Sequence, residues 1–217
     1  MRDGASPDRN DTLFPFLRNF SPFAGHSWAN GFANANEFGN DQESTSESMQ
    51  FCSSLIHWGA ITGDDAIRDL GIYLYTTEQS AIEEYWFDMY DRIFAPIYGY
   101  SVVSRLWGNG YDNLTFWTTD IAAAYGIELY PIHGGSLYLG HNLAYASTLW
   151  AEMTVNTGIL GNQVNPNLWH DTYWKYLAFT DPAAAIALGI GGVLTGLQIY
   201  SDMQTERVRI DNLKAGI

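Results

Sequence analysis

From Gln42 onward the apolar positions fall into a helical rhythm. Met49, Cys52, Leu55 and Ile56 recur at three- and four-residue spacing, with Trp58 close behind, and Gly59 is expected to close the segment. Thr62-Gly63-Asp64-Asp65 reads as a turn that caps the next helix. That helix gathers Ile67, Leu70, Leu74, Ile82, Tyr85, Trp86 and Met89 and is predicted to run to about Tyr90, before Pro96 and Gly99 break it. Residues 97–117, rich in Tyr, Trp and Gly, fit either a loop or short strands. Asp120 to Tyr125 reads as a short helix, Gly126 to Pro131 as an extended piece, and Gly134-Gly135 as a turn. Helices are expected at about 140–157, 167–178, 182–190 and 193–204, the first two separated by the Asn-, Gly- and Pro-rich stretch 161–167.

About seven helices without strand–helix alternation argue against a parallel-sheet α/β fold and for an all-α chain. Helix pairs at roughly regular spacing suggest an α/α array or toroid, although no clean repeat is visible. Residues 1–40 are irregular, punctuated by Pro7, Pro15, Pro22, Gly25, Gly31 and Gly39. A connection that long is usually functional or disordered. Phe14, Phe16, Phe20, Phe23, Trp28, Phe32 and Phe38 argue against disorder.

Composition narrows the partners. The 217 residues carry 10 Lys+Arg against 24 Asp+Glu, a net charge of −14. Such a balance disfavours nucleic acid and an anionic membrane surface. Aromatics are dense, with 8 Trp, 14 Tyr and 11 Phe, unlike a disordered acidic chain. The single Cys52 excludes an intrachain disulfide framework and a Cys-based zinc site, and the five histidines lack His-x-x-x-His spacing, so no metal is expected. The first eleven residues are polar and do not read as a signal peptide. The longest apolar run, 182–194, is Gly-interrupted and too short to span a bilayer.

Two stretches carry the chemistry: Gly25-His26-Ser27-Trp28-Ala29-Asn30-Gly31 and Asn40-Asp41-Gln42-Glu43-Ser44-Thr45-Ser46-Glu47. Glu43 and Glu47 are four apart and, on a helix, would share one face in the first turn, where the dipole favours anions. A plain capping box from Ser44 to Glu47 is the structural reading of the same residues. Against it stands the setting, since carboxylates and amides framed by Trp, Tyr and His suit a sugar cleft. Two groups on one helix face cannot flank a scissile glycosidic bond. That requires carboxyls about 5–5.5 Å apart in retaining and about 6.5–9.5 Å apart in inverting enzymes, so an acid partner must come from another element. Ser27 lacks the setting of a nucleophile elbow. His57 reads as a core or interface residue. Glu78, Glu83 and Glu84 form either a solvated helix face or, for Glu78 with Tyr85, part of a cleft wall. Asn10-Asp11-Thr12 and Asn113-Leu114-Thr115 match the glycosylation pattern.

At these residues the chain resembles glycoside hydrolase family 81, the endo-β-1,3-glucanases. The matching stretches are Pro22 to Ala29 and Asn40 to Glu47, followed by Trp58-Gly59, Glu78 with Tyr85-Trp86, Gly126-Ile127 with Pro131, and Leu139-Gly140. The resemblance implies an (α/α)6 barrel and inverting hydrolysis of β-1,3-glucan without metal or cofactor. It makes Glu43 the general base and Glu47 a supporting carboxylate. His26, Trp28, Gln42, Glu78 and Tyr85 would then bind substrate. It also implies an extracellular setting. Ser21 stands where the family usually has Asp. The family's general acid, an Asp in an Asn-Asp-His-His-like motif upstream, has no counterpart here, nor does the family's β-sandwich domain. The chain therefore reads as a partial barrel, a single domain over 1–217, expected to self-associate through exposed barrel edges. Asp64, Asp112, Asp120 and Glu128 are the surrogate acids considered. A glucan-binding fragment without catalysis is the alternative.

Overall fold

The computed structural model describes residues 2–29, 37–158 and 168–188. Its elements in chain order are α1 (Arg2–Ala5), β1 (Phe20–Ser21), β2 (His26–Ser27), β3 (Asp41–Glu43), α2 (Thr45–Thr62), α3 (Asp65–Tyr85), β4 (Arg105–Trp107) and β5 (Gly110–Asp112). There follow α4 (Ile121–Ile127), a 3-10 helix (Gly134–Gly140), α5 (Leu143–Thr157), α6 (His170–Leu177) and α7 (182–188). The fold is all-α in class and toroid-like, with helices packed on their sequence neighbours: α2 on α3, α4 on α5, α5 on α6. The expected helix at 193–204 and the separating stretch 161–167 lie outside the described residues. Among the described residues no helix is long and apolar enough to cross a membrane.

The α2–α3 hairpin organises the first half, its two helices packed along one another. Asp64 caps α3 by accepting from Ile67 N at 3.1 Å. Gly59 does not end α2, as its type suggested. The helix runs on to Thr62 and stops at Gly63, which takes the left-handed conformation (φ 73°). Gly59 serves packing instead: a Cβ there would lie 2.4 Å from Arg68 N, and one on Gly71 would lie 2.7 Å from Ile56 N. Missing side chains let the two helices approach backbone to backbone. His57 is exposed on this hairpin, not in a core.

Helix α3 ends at Tyr85, short of the expected Tyr90, because Asp88 takes over. With a left-handed backbone (φ 41°), its carboxylate collects Arg92 N, Ile93 N and Phe94 N and folds the chain away. The segment 126–131 is likewise not extended. Gly126 and Ile127 finish α4, and Trp169 packs on Gly126, where a Cβ would lie 2.2 Å from the indole. The ambiguous 97–117 segment forms the β4–β5 hairpin, which joins β3 in an antiparallel sheet of order β3-β4-β5. Asn113 follows β5, buried and accepting from Ser104 Oγ at 2.6 Å, so it is no accessible glycosylation acceptor.

Two apolar clusters result. The larger gathers Ile82, Trp86, Phe87, Val103, Tyr125, Tyr138, Leu149 and Tyr173 where α3, α4, α5 and α6 converge. The smaller seats Ala5, Leu17 and Phe20 on Cys52, Leu55 and Leu74 of the hairpin. Irregular as it is, the N-terminal segment is thereby fixed against α2 and α3, and the site lies along this seam.

Candidate active site

The β1–β2 hairpin delivers the first half of the site. Its turn closes through Gly25 N to Ser21 O at 2.8 Å, with Gly25 at φ 80°. Ser21 Oγ accepts from Ala24 N at 3.2 Å, so at this position the serine holds the turn. Trp28 follows, half-buried, anchored through its N–H to Asn19 O at 2.7 Å.

The second half comes from the β3–α2 junction. Gln42 and Glu43 are not helical. They pair with Leu106 and Arg105 as the last residues of β3, because β4 supplies an edge for them. Ser44 then turns left-handed (φ 64°), a conformation unfavourable for a side-chain-bearing residue, and α2 begins. The capping box does not form. Ser44 Oγ instead donates to Glu47 Oε2 at 2.5 Å. So Glu43 and Glu47 are set by an elbow between strand and helix, not by one helix face.

These elements enclose a cleft of about 380 Å³ whose walls include Asn19, Phe20, Trp28, Gln42, Glu43, Glu47, Phe51 and Glu78. Five of the seven predicted site residues are therefore brought together. Aromatic faces (Trp28, Phe20, Phe51) and carboxylates share the space, the mixture that sugar recognition needs. Among the described residues Gln42 Oε1 and Asn19 Oδ1 are buried acceptors without a protein donor, each suited to accept from a ligand hydroxyl or water. The other two predicted residues lie elsewhere. His26 is buried behind Trp28, edge-on to it at 4.5 Å and to Trp86 at 4.9 Å. Burial lowers its pKa against the pull of the Ser27 carbonyl, so it supports the indole as a neutral ring. Tyr85 lies beyond His26, with ring centroids 6.2 Å apart, and does not line the cleft.

Glu43 reaches into the cleft with Oε1 accepting from Phe116 N at 3.0 Å. Burial raises its pKa, while the Phe116 amide and the positive Arg105 draw it down and Asp41 and Glu47 add to the rise. Glu78, fully buried, forms the floor. It accepts from Ser27 N (3.1 Å), Ser27 Oγ (2.6 Å) and Ser48 Oγ (2.8 Å), pinning the Trp28 hairpin and α2 to α3. The acidic row Glu78, Glu83, Glu84 thus divides: Glu83 meets Gln79 and His141 near the surface, and Glu84 pairs with Arg92.

Each surrogate acid has a structural task. Asp64 caps α3, Asp120 caps α4 through Ala122 N at 3.0 Å, and Asp112 holds Arg105 through two bonds. Glu128, fully buried, accepts from Ser44 N (3.0 Å), Thr45 N (3.1 Å) and Thr45 Oγ1, so it secures the strained elbow from behind. Burial pushes Glu128 up to about 8, with those three donors opposing. The elbow, its Glu128 anchor and the Phe116 amide left no mark in sequence spacing. Glu128 lies more than eighty residues from the turn it holds. Among the described residues no cluster of three or more His, Cys, Asp or Glu could hold a metal ion.

Comparison with known proteins places these features. The chain is 46% identical over 185 residues to a glucan endo-1,3-beta-D-glucosidase of Acetivibrio thermocellus, covering 85% of this chain and 23% of the relative. It is 42% identical over 187 residues to one of Thermobifida fusca, covering 86% and 24%. A solved glycoside hydrolase family 81 structure from Clostridium thermocellum, in a mutant form, superposes with TM-score 0.78 at 45% identity, covering 85% of this chain and 25% of that one. The chain thus spans about a quarter of the length of the curated relatives it matches. The model of the glycosyl hydrolase family 81 C-terminal domain matches residues 1–189, and on that match the chain belongs to this family.

Proposed function

We propose that this chain forms the base-bearing side of a β-1,3-glucan hydrolase cleft in an extracellular enzyme. The observation that carries the reading is the setting of Glu43. It is a half-buried carboxylate, held by one amide, facing a cleft shared with Trp28 and Glu47. In that reading a glucan unit stacks on Trp28. Glu43 takes a proton from water as the water oxygen bonds the anomeric carbon from the face opposite the leaving group. The glycosidic C–O bond breaks, and an acid protonates the departing oxygen. The product anomer is inverted. Glu47 supports the water from the adjacent helix turn. The acid belongs to another element, since Asp64, Asp112, Asp120 and Glu128 are engaged by the protein. No metal takes part.

The family and the names of its relatives support the substrate class. The net charge of −14 is compatible with a neutral polysaccharide. A reducing-end assay on laminarin, with the anomer of the first product read by NMR, tests the reading. The expected result is inverted product from the wild type and a rate lower by about a thousandfold from Glu43→Gln. Equal, mild losses from Glu43→Gln and Glu47→Gln would overturn the assignment of the base. The second reading, a glucan-binding unit without catalysis, is favoured by the engagement of all four candidate acids. Retardation in laminarin affinity gels without product would select it.

A further inference from the structure

Arg105 is absent from the cleft wall, yet the elements that fix Glu43 meet at its side chain. It is the cross-strand partner of Glu43 in the β3–β4 register. Its guanidinium lies 4.5 Å from the centroid of the Phe116 ring and 4.7 Å from that of Trp107. Asp112 on β5 holds it in a fork, Nε to Oδ1 at 3.2 Å and Nη2 to Oδ2 at 2.6 Å. Phe116 is the residue whose N–H donates to Glu43. Its loop is tied internally by Thr115 Oγ1, which donates to Thr118 O at 2.9 Å and accepts from Thr118 N at 3.2 Å.

We propose that Arg105 is a positioning residue for Glu43, seating the Phe116 loop so that its amide meets the carboxylate while placing a positive charge beside it. The other titratable groups around Glu43 are acids: Asp41 on its own strand, Glu47 on α2 and Glu128 behind the elbow, while Asp112 on β5 is paired with Arg105 itself. Arg105 opposes the rise that Asp41 and Glu47 cause at Glu43. A planar guanidinium suits this task because it can lie on two rings and keep a fork to Asp112 at once, which an ammonium cannot. The functional weight of the inference rests on reading Glu43 as the general base.

The test is a direct carboxyl-carbon NMR titration of Glu43 in the whole chain, beside the pH profile of laminarin hydrolysis. Arg105→Met keeps an apolar stem over Phe116 and removes the charge. Its expected result is a higher Glu43 titration midpoint, with activity at acidic pH falling roughly threefold relative to neutral pH. An unchanged midpoint in a folded Arg105→Met protein overturns the proposal. If that variant does not fold, Arg105→Lys carries the test. It keeps charge and loses the planar contact, so hydrogen exchange at the Phe116 amide should quicken while the midpoint shifts less. Unchanged exchange and midpoint in Arg105→Lys also overturn it. The titration needs no turnover, so an inactive wild type would refute the hydrolase reading and leave this inference to be decided separately.

Discussion

The cleft wall and the layer behind it hold the same side chain in opposite roles. Glu43 and Glu47 stand at the wall with one amide or one hydroxyl each as partner. Glu78 at the cleft floor and Glu128 behind the elbow are fully buried, Glu78 accepting from four donors, the last of them Cys52 Sγ at 3.9 Å, and Glu128 from three. A carboxyl group that collects three or more donors positions the segments that carry them. One with lone pairs to spare can bind a water or a hydroxyl. Residue type does not separate the two pairs, but their donor counts do.

The largest effect that would sharpen this contrast is chemical. Glu43→Gln should lower the laminarin rate by about a thousandfold, with urea unfolding almost unchanged. Loss of stability instead would move Glu43 into the inner group. Next comes Glu128→Ala, which leaves Ser44 N, Thr45 N and the Thr45 hydroxyl without their buried acceptor. Chemical denaturation should show a loss of about 3 kcal/mol. A loss below about 0.5 kcal/mol would break the comparison, since surface changes commonly stay within that range. Trp28→Ala should weaken laminarin binding about tenfold in affinity gels, as expected for losing one aromatic platform, and leave the fold intact.

The last effect concerns pH. Glu128 rises from an ordinary 4.5 to about 8 on folding, so between those values the folded state holds the extra proton. The stability it contributes is present below 4.5 and lost as pH climbs through about 8. The thermal midpoint should therefore drift down from pH 5 to 8, and Glu128→Gln should flatten that drift. An identical slope in the variant would mean that Glu128 titrates as an ordinary carboxyl.

Much of the fold could be read from the chain. The period of Met49, Cys52 and Leu55, the Thr62–Asp65 cap and the Asp120 start of α4 depend on neighbours within one or two turns. Such signals survive in sequence. Helix ends were less legible, because turn contacts and packing that carry no periodic signal bear on them. Asp88 ends α3 by collecting amides from the next loop, and Trp169 claims the space over Gly126. The site divides the same way. Glu43, Glu47, Trp28, Gln42 and Glu78 were picked out by their types and by the resemblance, and they share a cleft. His26 and Tyr85 were picked out equally and do not line it.

By itself, then, the sequence determined an all-α chain, a carboxylate- and aromatic-rich centre and a family. These follow from local periodicity, composition and contiguous motifs. Tertiary structure alone decided that Glu43 ends a strand, that Ser44 turns left-handed, and that Glu128 and Arg105 hold the two sides of that elbow. Those outcomes depend on a β4 edge and on a buried acceptor, Glu128, each brought from more than sixty positions away. Pairing of that kind is a property of the folded surface, because the energy of each group depends on what remains to solvate it once its neighbours are in place.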